Sequence, residues 1–174
     1  MLFTQLIVTL CVGIAFAADA NSVVAIIKNV QINTNQLNLD VQRYNGGVAG
    51  LPYALQVQQD AVLTHEQIVL GITEANNSAP FGEPGSFNVA GAFLDLSNTV
   101  TQTLRNVSSK QAAFKDLRPI VLASLYQLQQ DTRDFGAASI AKLAALEAAA
   151  APLVVQNLVN EFNNAIMAYG GKAT

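Results

Sequence analysis

Charged and sulfur-containing side chains are scarce in this sequence of 174 residues. Its single cysteine, Cys11, lies near the amino terminus, so the rest of the chain has no thiol chemistry, thiolate metal ligand or internal disulfide. Its single histidine, His65, cannot form a histidine-rich metal site or serve more than one catalytic centre. Asp, Glu, Lys and Arg make up 12% of the residues, against about a quarter in ordinary globular domains. With a net charge of −3 there is no basic footprint for nucleic acid or anionic lipid.

Residues 1–17 have the pattern of a signal peptide. A short apolar core ends in the small-x-small sequence AFA (15–17), which suits signal peptidase, and cleavage after Ala20 is a second option. The apolar run is shorter than the roughly 18 to 20 residues that span a bilayer, and the carboxyl terminus lacks the tail of a GPI signal. The sequence predicts a secreted protein without a transmembrane anchor: one domain over 20–170 and a short tail, 171–174.

Helical spacing of apolar residues is the main signal in the remaining sequence, and no strand-like alternation persists. Five sets recur at steps of three, four or seven: Val23, Ile27, Val30, Leu37, Val41 and Tyr44; Leu55, Val62, Val69 and Ile72; Val89, Phe93, Leu96, Val100, Leu104 and Val107; Val121, Leu125, Leu128 and Phe135; and Val155, Leu158, Phe162, Ile166 and Tyr169. Short connections favour antiparallel neighbours. We therefore expect an all-α fold, an antiparallel bundle of about five long amphipathic helices.

The ends of these helices are predicted from caps and helix breakers. Ser22 is the expected N-cap of the first helix. Two prolines and two glycines in 76–86 predict an irregular segment. The fourth helix is expected to begin near Pro119 and to continue through the alanine-rich span 137–151, so that the break before the fifth helix falls near Pro152.

A glycine-rich segment, QRYNGGVAGLP (42–52), raises the question of a phosphate loop. A Walker loop needs Lys and Ser or Thr after its last glycine and a strand before it, whereas here Leu and Pro follow and a helix precedes. We interpret Gly46 as the left-handed residue that closes the first helix and Gly47 as a turn residue. Gly50 then precedes Pro52, which suits the opening turn of the second helix.

Three segments carry a resemblance to a known family. They are the first helix ending in Tyr-Asn-Gly-Gly, the segment QAAFKDLRPIVLASLYQLQQDTRDFGAASIAKL (111–143), and the closing helix VNEFNNAIMAY (159–169). In order and spacing they resemble the fungal hydrophobic surface-binding protein A family, which includes cell-wall galactomannoproteins of moulds. The likeness covers about residues 20–169. Two departures are the absence of a Ser/Thr-rich tail with a lipid-anchor signal, and Pro152 inside what is normally one helix.

The resemblance implies a secreted or wall-associated helical bundle without catalytic activity and without a cofactor. Some members of the family adsorb to hydrophobic surfaces and recruit a polyester-degrading hydrolase to them. Others enclose fatty acids between the helices. The expected partners are thus fatty acids or hydrophobic surfaces, with a secreted polyester hydrolase as a further partner.

Polar residues interrupt the apolar sets at Thr34, Gln58, His65 and Thr132. Either the threonine hydroxyls bond to their own helix backbone, and His65 is a partly buried residue bonded to a neighbour, or these groups meet the polar head of an apolar guest. The second reading needs an underfilled interior, which the small residues of 137–151 beside Phe93, Phe135 and Phe162 would allow. The candidate cavity-lining residues are Thr34, Gln58, Val62, His65, Phe93, Leu96, Val100, Leu125, Leu128, Thr132, Phe135, Phe162 and Ile166.

Other candidates have plainer interpretations. Asp131 and Asp134 lie off the apolar set with Arg133 between them, so we expect a solvated helix face and not the carboxylate pair of a glycosidase. The sequons at Asn76 and Asn106 are candidate N-glycan acceptors of a secreted chain.

The function predicted from the sequence is binding of a fatty-acid-like lipid or a hydrophobic surface, without catalysis. A lipid would enter a preformed gap between helices, or the bundle would loosen and lay its apolar faces on an interface. The alternative is a structural cell-wall mannoprotein without a specific ligand.

Overall fold

Five α-helices make up most of residues 19–174, the part of the chain that this computed structural model describes. The helices are α1 (Ala20–Arg43), α2 (Gly47–Asn77), α3 (Gly82–Ser109), α4 (Arg118–Ile140) and α5 (Ala145–Ala168), and a 3-10 turn (Lys115–Leu117) precedes α4. No strand occurs among these residues, and the all-α bundle of five helices is confirmed. The predicted signal peptide, 1–17, lies outside the described residues and stays a prediction.

The helices form a closed ring in the order α1, α3, α5, α4, α2, and each packs against two neighbours. Within residues 19–174, no two helices pack across the ring. Successive helices alternate in direction, but only α1–α2 and α4–α5 are both successive and adjacent. The other three neighbouring pairs are parallel: the Lys110 ammonium at the end of α3, for example, reaches the Tyr44 carbonyl at the end of α1. Side chains alone must fill the centre of such a ring.

The first helix and its N-cap begin three residues earlier than predicted. Asp19, not Ser22, is the N-cap: its carboxylate accepts from the Ser22 amide at 2.9 Å, and its own amide donates to the Ser22 hydroxyl at 3.0 Å. This reciprocal capping box explains the error, because a serine at the third helical position is part of the same motif. The bond from the Ser22 amide lowers the pKa of Asp19 below its ordinary value.

The glycine-rich segment is a tight connection between α1 and α2. Gly46 and Gly47 have φ angles of 83° and 70°, which side chains other than glycine rarely adopt. The second helix begins at Gly47, earlier than predicted, so Gly50 and Pro52 lie inside it. A Cβ on Gly50 would lie 2.9 Å from the Tyr44 ring, so glycine here allows the two helices to approach closely.

The inward face of α2 differs from the predicted one. Leu55, Val62 and Val69, expected to be internal, are 72%, 43% and 42% exposed. The residues that α2 buries are mostly small; they include Gly50, Ala61, Thr64, Ile68, Gly71 and Ala75. A Cβ on Gly71 would lie 2.6 Å from the tip of the Phe135 ring, so small residues are needed where α2 meets its neighbours. The prediction was wrong because it weighted large apolar residues over small ones.

Two predicted breaks also lie elsewhere. Only 78–81 of the segment 76–86 is non-helical, because Pro84 occupies the first turn of α3, where no amide bond is lost. The break between α4 and α5 falls at 141–144, and Pro152 lies inside α5. This turn is fixed by contacts with distant residues, since the Phe81 amide donates to the Lys142 carbonyl at 2.9 Å.

An aromatic cluster fills one end of the ring. The Phe114 ring centroid lies 4.2 Å from that of Tyr44 and 6.5 Å from that of Tyr169. The Tyr169 hydroxyl donates to the Val107 carbonyl at 2.8 Å, and burial raises the pKa of Tyr169 above its ordinary value. These residues join the carboxyl ends of α1, α3 and α5 to the start of α4.

Candidate ligand-binding cavity

A cavity occupies the middle of the ring. A water-sized sphere can place its centre in about 70 Å³ of it. The space is therefore narrow, and a lipid chain fits only when the lining side chains move apart. All five helices contribute to its lining, which comprises Val30, Thr34, Leu37, Thr64, Ile68, Phe93, Leu96, Val100, Thr103, Leu104, Val107, Leu125, Leu128, Thr132, Phe135, Leu158 and Phe162. No ionisable side chain is among them, so this space suits a hydrocarbon chain.

The four threonines of this lining do not offer free donors. The hydroxyls of Thr34, Thr64, Thr103 and Thr132 each donate to the carbonyl four residues earlier, at 2.7 to 2.8 Å. The self-satisfied reading of Thr34 and Thr132 is therefore confirmed. Thr64 and Thr103 were not predicted; Thr103 follows Val100 by three residues, so helical spacing could have found it, whereas Thr64 lies on the face of α2 that the prediction missed.

A second cavity adjoins the first between α3, α4 and α5. A water-sized sphere can place its centre in about 120 Å³ of it, and it shares Phe93, Thr132 and Leu158 with the central cavity. Its other lining residues are Ala90, Leu94, Gly136, Ile140, Leu143, Ala150, Ala151, Val154 and Val155. Small side chains here leave the space beside Phe93 that the alanine-rich composition suggested. The three shared residues make the two cavities neighbours along α4.

The thirteen predicted site residues lie in three places. Nine line the central cavity: Thr34, Phe93, Leu96, Val100, Leu125, Leu128, Thr132, Phe135 and Phe162. Ile166 is fully buried but does not line either cavity. Gln58, Val62 and His65 lie instead in an open groove between α2 and α4, together with Ser124 and Gln127. These three residues lie outside the central cavity because α2 turns a different face inward from the one predicted.

His65 is bonded to a neighbour, in agreement with the plainer interpretation. Its Nδ1 lies 2.6 Å from Oδ2 of Asp131, whose Oδ1 also accepts from the Gln127 amide at 2.9 Å. Asp131 is buried, which corrects the expectation of a solvated residue; these two partners satisfy its carboxylate. Asp134 is exposed, as expected.

The serine of the same groove is bonded to another residue. The Ser124 hydroxyl donates to the Gln58 side chain at 3.3 Å and makes no hydrogen bond to His65. Among the described residues, no cluster of His, Asp and Glu is arranged to hold a metal ion.

A pair of buried carboxyl groups lies at the α1–α2 interface, outside both cavities. Asp40 accepts from Gln36 at 2.7 Å and from Arg43 at 3.1 Å. Asp60 accepts from Gln56 at 3.1 Å through one oxygen, while its Oδ2 has no hydrogen-bond partner. Burial, together with the neighbouring Asp40, raises the pKa of Asp60 above its ordinary value.

The two sequons differ in their surroundings. Asn76 is exposed in the last turn of α2. Asn106 is partly buried, and its amide donates to the Asn38 side chain at 2.7 Å across the α1–α3 interface. No helix among residues 19–174 is long and apolar enough to cross a membrane.

Comparison with known proteins identifies a family and solved structures that are similar to this chain. A family model described as hydrophobic surface binding protein A matches residues 20–141, whereas no curated protein sequence matches significantly. The solved structure of AfMP4p in complex with palmitic acid is similar over 87% of this chain and 99% of that one, with a TM-score of 0.83 and 20% identity. Ligand-binding domain 1 of the Penicillium marneffei MP1 protein, complexed with arachidonic acids, is similar over 83% of this chain and 94% of that domain, with a TM-score of 0.77 and 16% identity. At these identities the structures show a shared fold, and the family match goes further: the chain belongs to the hydrophobic surface binding protein A family.

Proposed function

We propose that this protein binds fatty-acid-like lipids inside its helical ring, without catalysis, and also adsorbs to hydrophobic surfaces. The observation that carries the lipid proposal is the pair of adjoining apolar cavities, whose lining includes no ionisable side chain. The similar structures of AfMP4p and of the MP1 domain hold palmitic and arachidonic acids, and a shared fold makes the same class of ligand the natural proposal. The nine predicted residues that line the central cavity are its proposed lipid contacts.

The polarity of the lining sets the orientation of the guest. A carboxylate placed deep in this space would be desolvated without a partner, because the threonine hydroxyls already donate to their own helices. The hydrocarbon chain therefore occupies the interior and the headgroup lies at a solvent-open edge. A hydrocarbon also gains the most from burial there, about 25 cal/mol per Å² of apolar surface.

The proposal is tested by filling the cavity. Val100 is half-buried on α3 and lines the central cavity, so Val100→Trp occupies space that a lipid chain needs. We expect palmitic acid to displace a fluorescent fatty acid from the natural protein, and to bind the variant about tenfold more weakly or worse, a difference of roughly 1.4 kcal/mol. Ile32→Trp, at an exposed position of α1, is the matched control and retains affinity.

Circular dichroism must show that both tryptophan variants are folded. Leu158→Phe supplies a second obstruction, since Leu158 borders both cavities. Unchanged affinity in both folded cavity variants would contradict binding in the ring.

Secretion, wall association and a hydrolase partner belong to the same proposal. Residues 1–17 act as the signal peptide, and Asn76, which is exposed, is the N-glycan acceptor, whereas the Asn106 amide is engaged in packing. Loss of the glycosidase-sensitive mobility shift in Asn76→Gln, expressed in a glycosylating host, checks this assignment. Extraction of cell walls tests wall association, and co-sedimentation of a polyester hydrolase with protein-coated beads tests the hydrolase partner. A protein that is retained in cell walls but does not bind lipid would favour the mannoprotein alternative.

A further inference from the structure

An exposed apolar stripe runs along the outside of α2. Of the sixteen large hydrophobic side chains that are exposed within residues 19–174, eight lie on this one helix. Seven of the eight form what we name the outer α2 stripe: Val48, Leu51, Leu55, Val62, Leu63, Val69 and Leu70. At 3.6 residues per turn these seven positions fall within about one third of the helix circumference. The helix is therefore apolar on two opposite faces, and the bundle buries only one of them.

The outer α2 stripe is nearly free of charge. Between Gly47 and Thr64 the sequence has no Glu, Lys, Arg or His, and its one acidic residue, Asp60, is buried. The polar neighbours of the stripe in this half of the helix are amides such as Gln58 and Gln59, and α2 contains no Lys or Arg. Glu66 is the one charged residue that projects from the same face.

Folding of the ring does not account for these residues. Their side chains contribute little to the core, since the inward face of α2 uses Ala61, Ile68 and Ala75 instead. Exposed apolar patches of a few hundred Å² are the largest that monomeric proteins usually carry, and they are often functional. Three residues of the stripe, Leu55, Val62 and Val69, were assigned to the interior by the sequence pattern and therefore have a use outside it.

We infer that the outer α2 stripe is the face by which this protein adsorbs to a nonpolar solid surface, an assignment that rests on the surface binding proposed above. The stripe runs over 23 residues, from Val48 to Leu70, so it is about 34 Å long and about 10 Å wide, roughly 340 Å². A stable dimer buries about 800 Å² per partner, so this face is too small to hold two copies of the protein together. A flat, extended solid has no such lower limit and can also contact the flanking helices.

Charge selects the solid over a lipid bilayer. Helices that lie on membranes carry Lys and Arg on their polar face to bind anionic headgroups, and α2 has neither. An uncharged, convex, apolar helix face matches an uncharged nonpolar solid. Adsorption through this face also leaves the ring closed, in contrast to a mechanism in which the bundle opens to expose its core.

The inference is tested with Leu55→Gln/Val69→Gln, which makes two outward positions polar and touches neither cavity. The matched control is Leu146→Gln/Leu153→Gln, two apolar positions on α5 that are 80% and 69% exposed, against 72% and 42% for Leu55 and Val69. Depletion of each protein from solution by polystyrene beads is measured over a range of bead area. We expect the α2 variant to need about fivefold more bead area or worse, and the α5 variant to match the natural protein.

Equal adsorption by the natural protein and the α2 variant, or an equal loss in both variants, would overturn the assignment. So would a dimer of the natural protein that the α2 variant dissociates in sedimentation, or binding to phospholipid vesicles without binding to beads. If the natural protein does not adsorb to beads at all, the proposed surface binding itself fails. Displacement of a fluorescent fatty acid, measured on the same samples, tests the lipid proposal separately. Circular dichroism shows whether each variant is folded. If the double variant is not folded, Leu55→Gln alone is the milder variant to use.

Discussion

At the scale of single residues, the α1–α2 interface holds a carboxyl group in an unfavourable place. Asp60 faces Asp40, and one of its oxygens has no partner. An acid whose pKa is higher in the folded state keeps its proton there after the unfolded chain has lost it. The free energy of unfolding therefore falls as pH rises from the ordinary value of 3.8 through the raised pKa.

We predict that Asp60→Asn stabilises the protein at neutral pH. The amide can donate to Asp40 and removes an unpaired buried acceptor, which is worth roughly 1 to 3 kcal/mol. Urea unfolding at pH 7 and near pH 4 should show a larger gain at pH 7, since the carboxyl group of the natural protein is protonated in acid. Asp134→Asn, at an exposed position, should change little at either pH. A destabilised Asp60→Asn protein at pH 7 would mean that the charged form is favourable.

Close packing at Gly71 leads to a second prediction. A Cβ there would lie 2.6 to 3.0 Å from three atoms of the Phe135 ring, and this ring lines the central cavity. Overpacking costs about 1 to 3 kcal/mol, which exceeds the gain of roughly 1 kcal/mol from replacing glycine with alanine in a helix. We expect Gly71→Ala to lower the free energy of unfolding and to weaken lipid binding.

The control for this change is Gly91→Ala on α3. A Cβ at Gly91 would meet no atom within 4 Å, so only the helix propensity changes and thermal unfolding should show a gain. If both alanine variants gain the same free energy of unfolding, the Phe135 ring moves aside without an energetic penalty, and the prediction is wrong.

At the scale of the helices, α5 tolerates a proline in its interior. Pro152 lacks the amide that would bond to the Ala148 carbonyl, and an interior proline costs about 3 kcal/mol in a helix. We expect Pro152→Ala to stabilise the fold by about 1 to 3 kcal/mol, as measured by urea unfolding. Pro119→Ala is the control, because Pro119 lies in the first turn of α4, where no amide bond is lost. An effect of equal size at both sites would contradict this explanation.

The helices also show which parts of the fold can be read from the sequence. The first, third and fifth apolar sets predict the buried faces of α1, α3 and α5, because large residues recur at helical spacing along the inward face of these helices. The signal fails on α2, where the inner face is small and the large residues Leu55, Val62 and Val69 lie outside. It fails again at 141–144, where the chain turns through contacts with distant residues such as Phe81.

The residues of the candidate site were predicted or missed for the same reason as the helix faces on which they lie. Residues such as Phe93, Leu96 and Leu128 line the cavity because they belong to apolar sets on helices whose inward face was predicted correctly. His65 was misplaced with the rest of its face of α2. Which side chains leave space between them depends on the ring arrangement, and no local pattern in the sequence encodes that arrangement.

At the scale of the whole molecule, a ring of five helices without contacts across it combines stability with internal space. Each helix is held by two neighbours, so the ring closes without a disulfide among the described residues. The threonines and small residues of the lining leave the centre incompletely filled. We expect a lipid chain to widen this space without opening the ring, and a lipid that binds only the folded state raises the stability of the protein by mass action.

Native mass spectrometry with palmitic acid tests the central claim of an internal lipid site most directly. The account predicts adducts with the mass of palmitic acid on the natural protein and on Ile32→Trp, and loss of those adducts in folded Val100→Trp. A natural protein that is folded yet carries no fatty acid at any ratio, or a Val100→Trp protein that carries it equally well, would contradict the account.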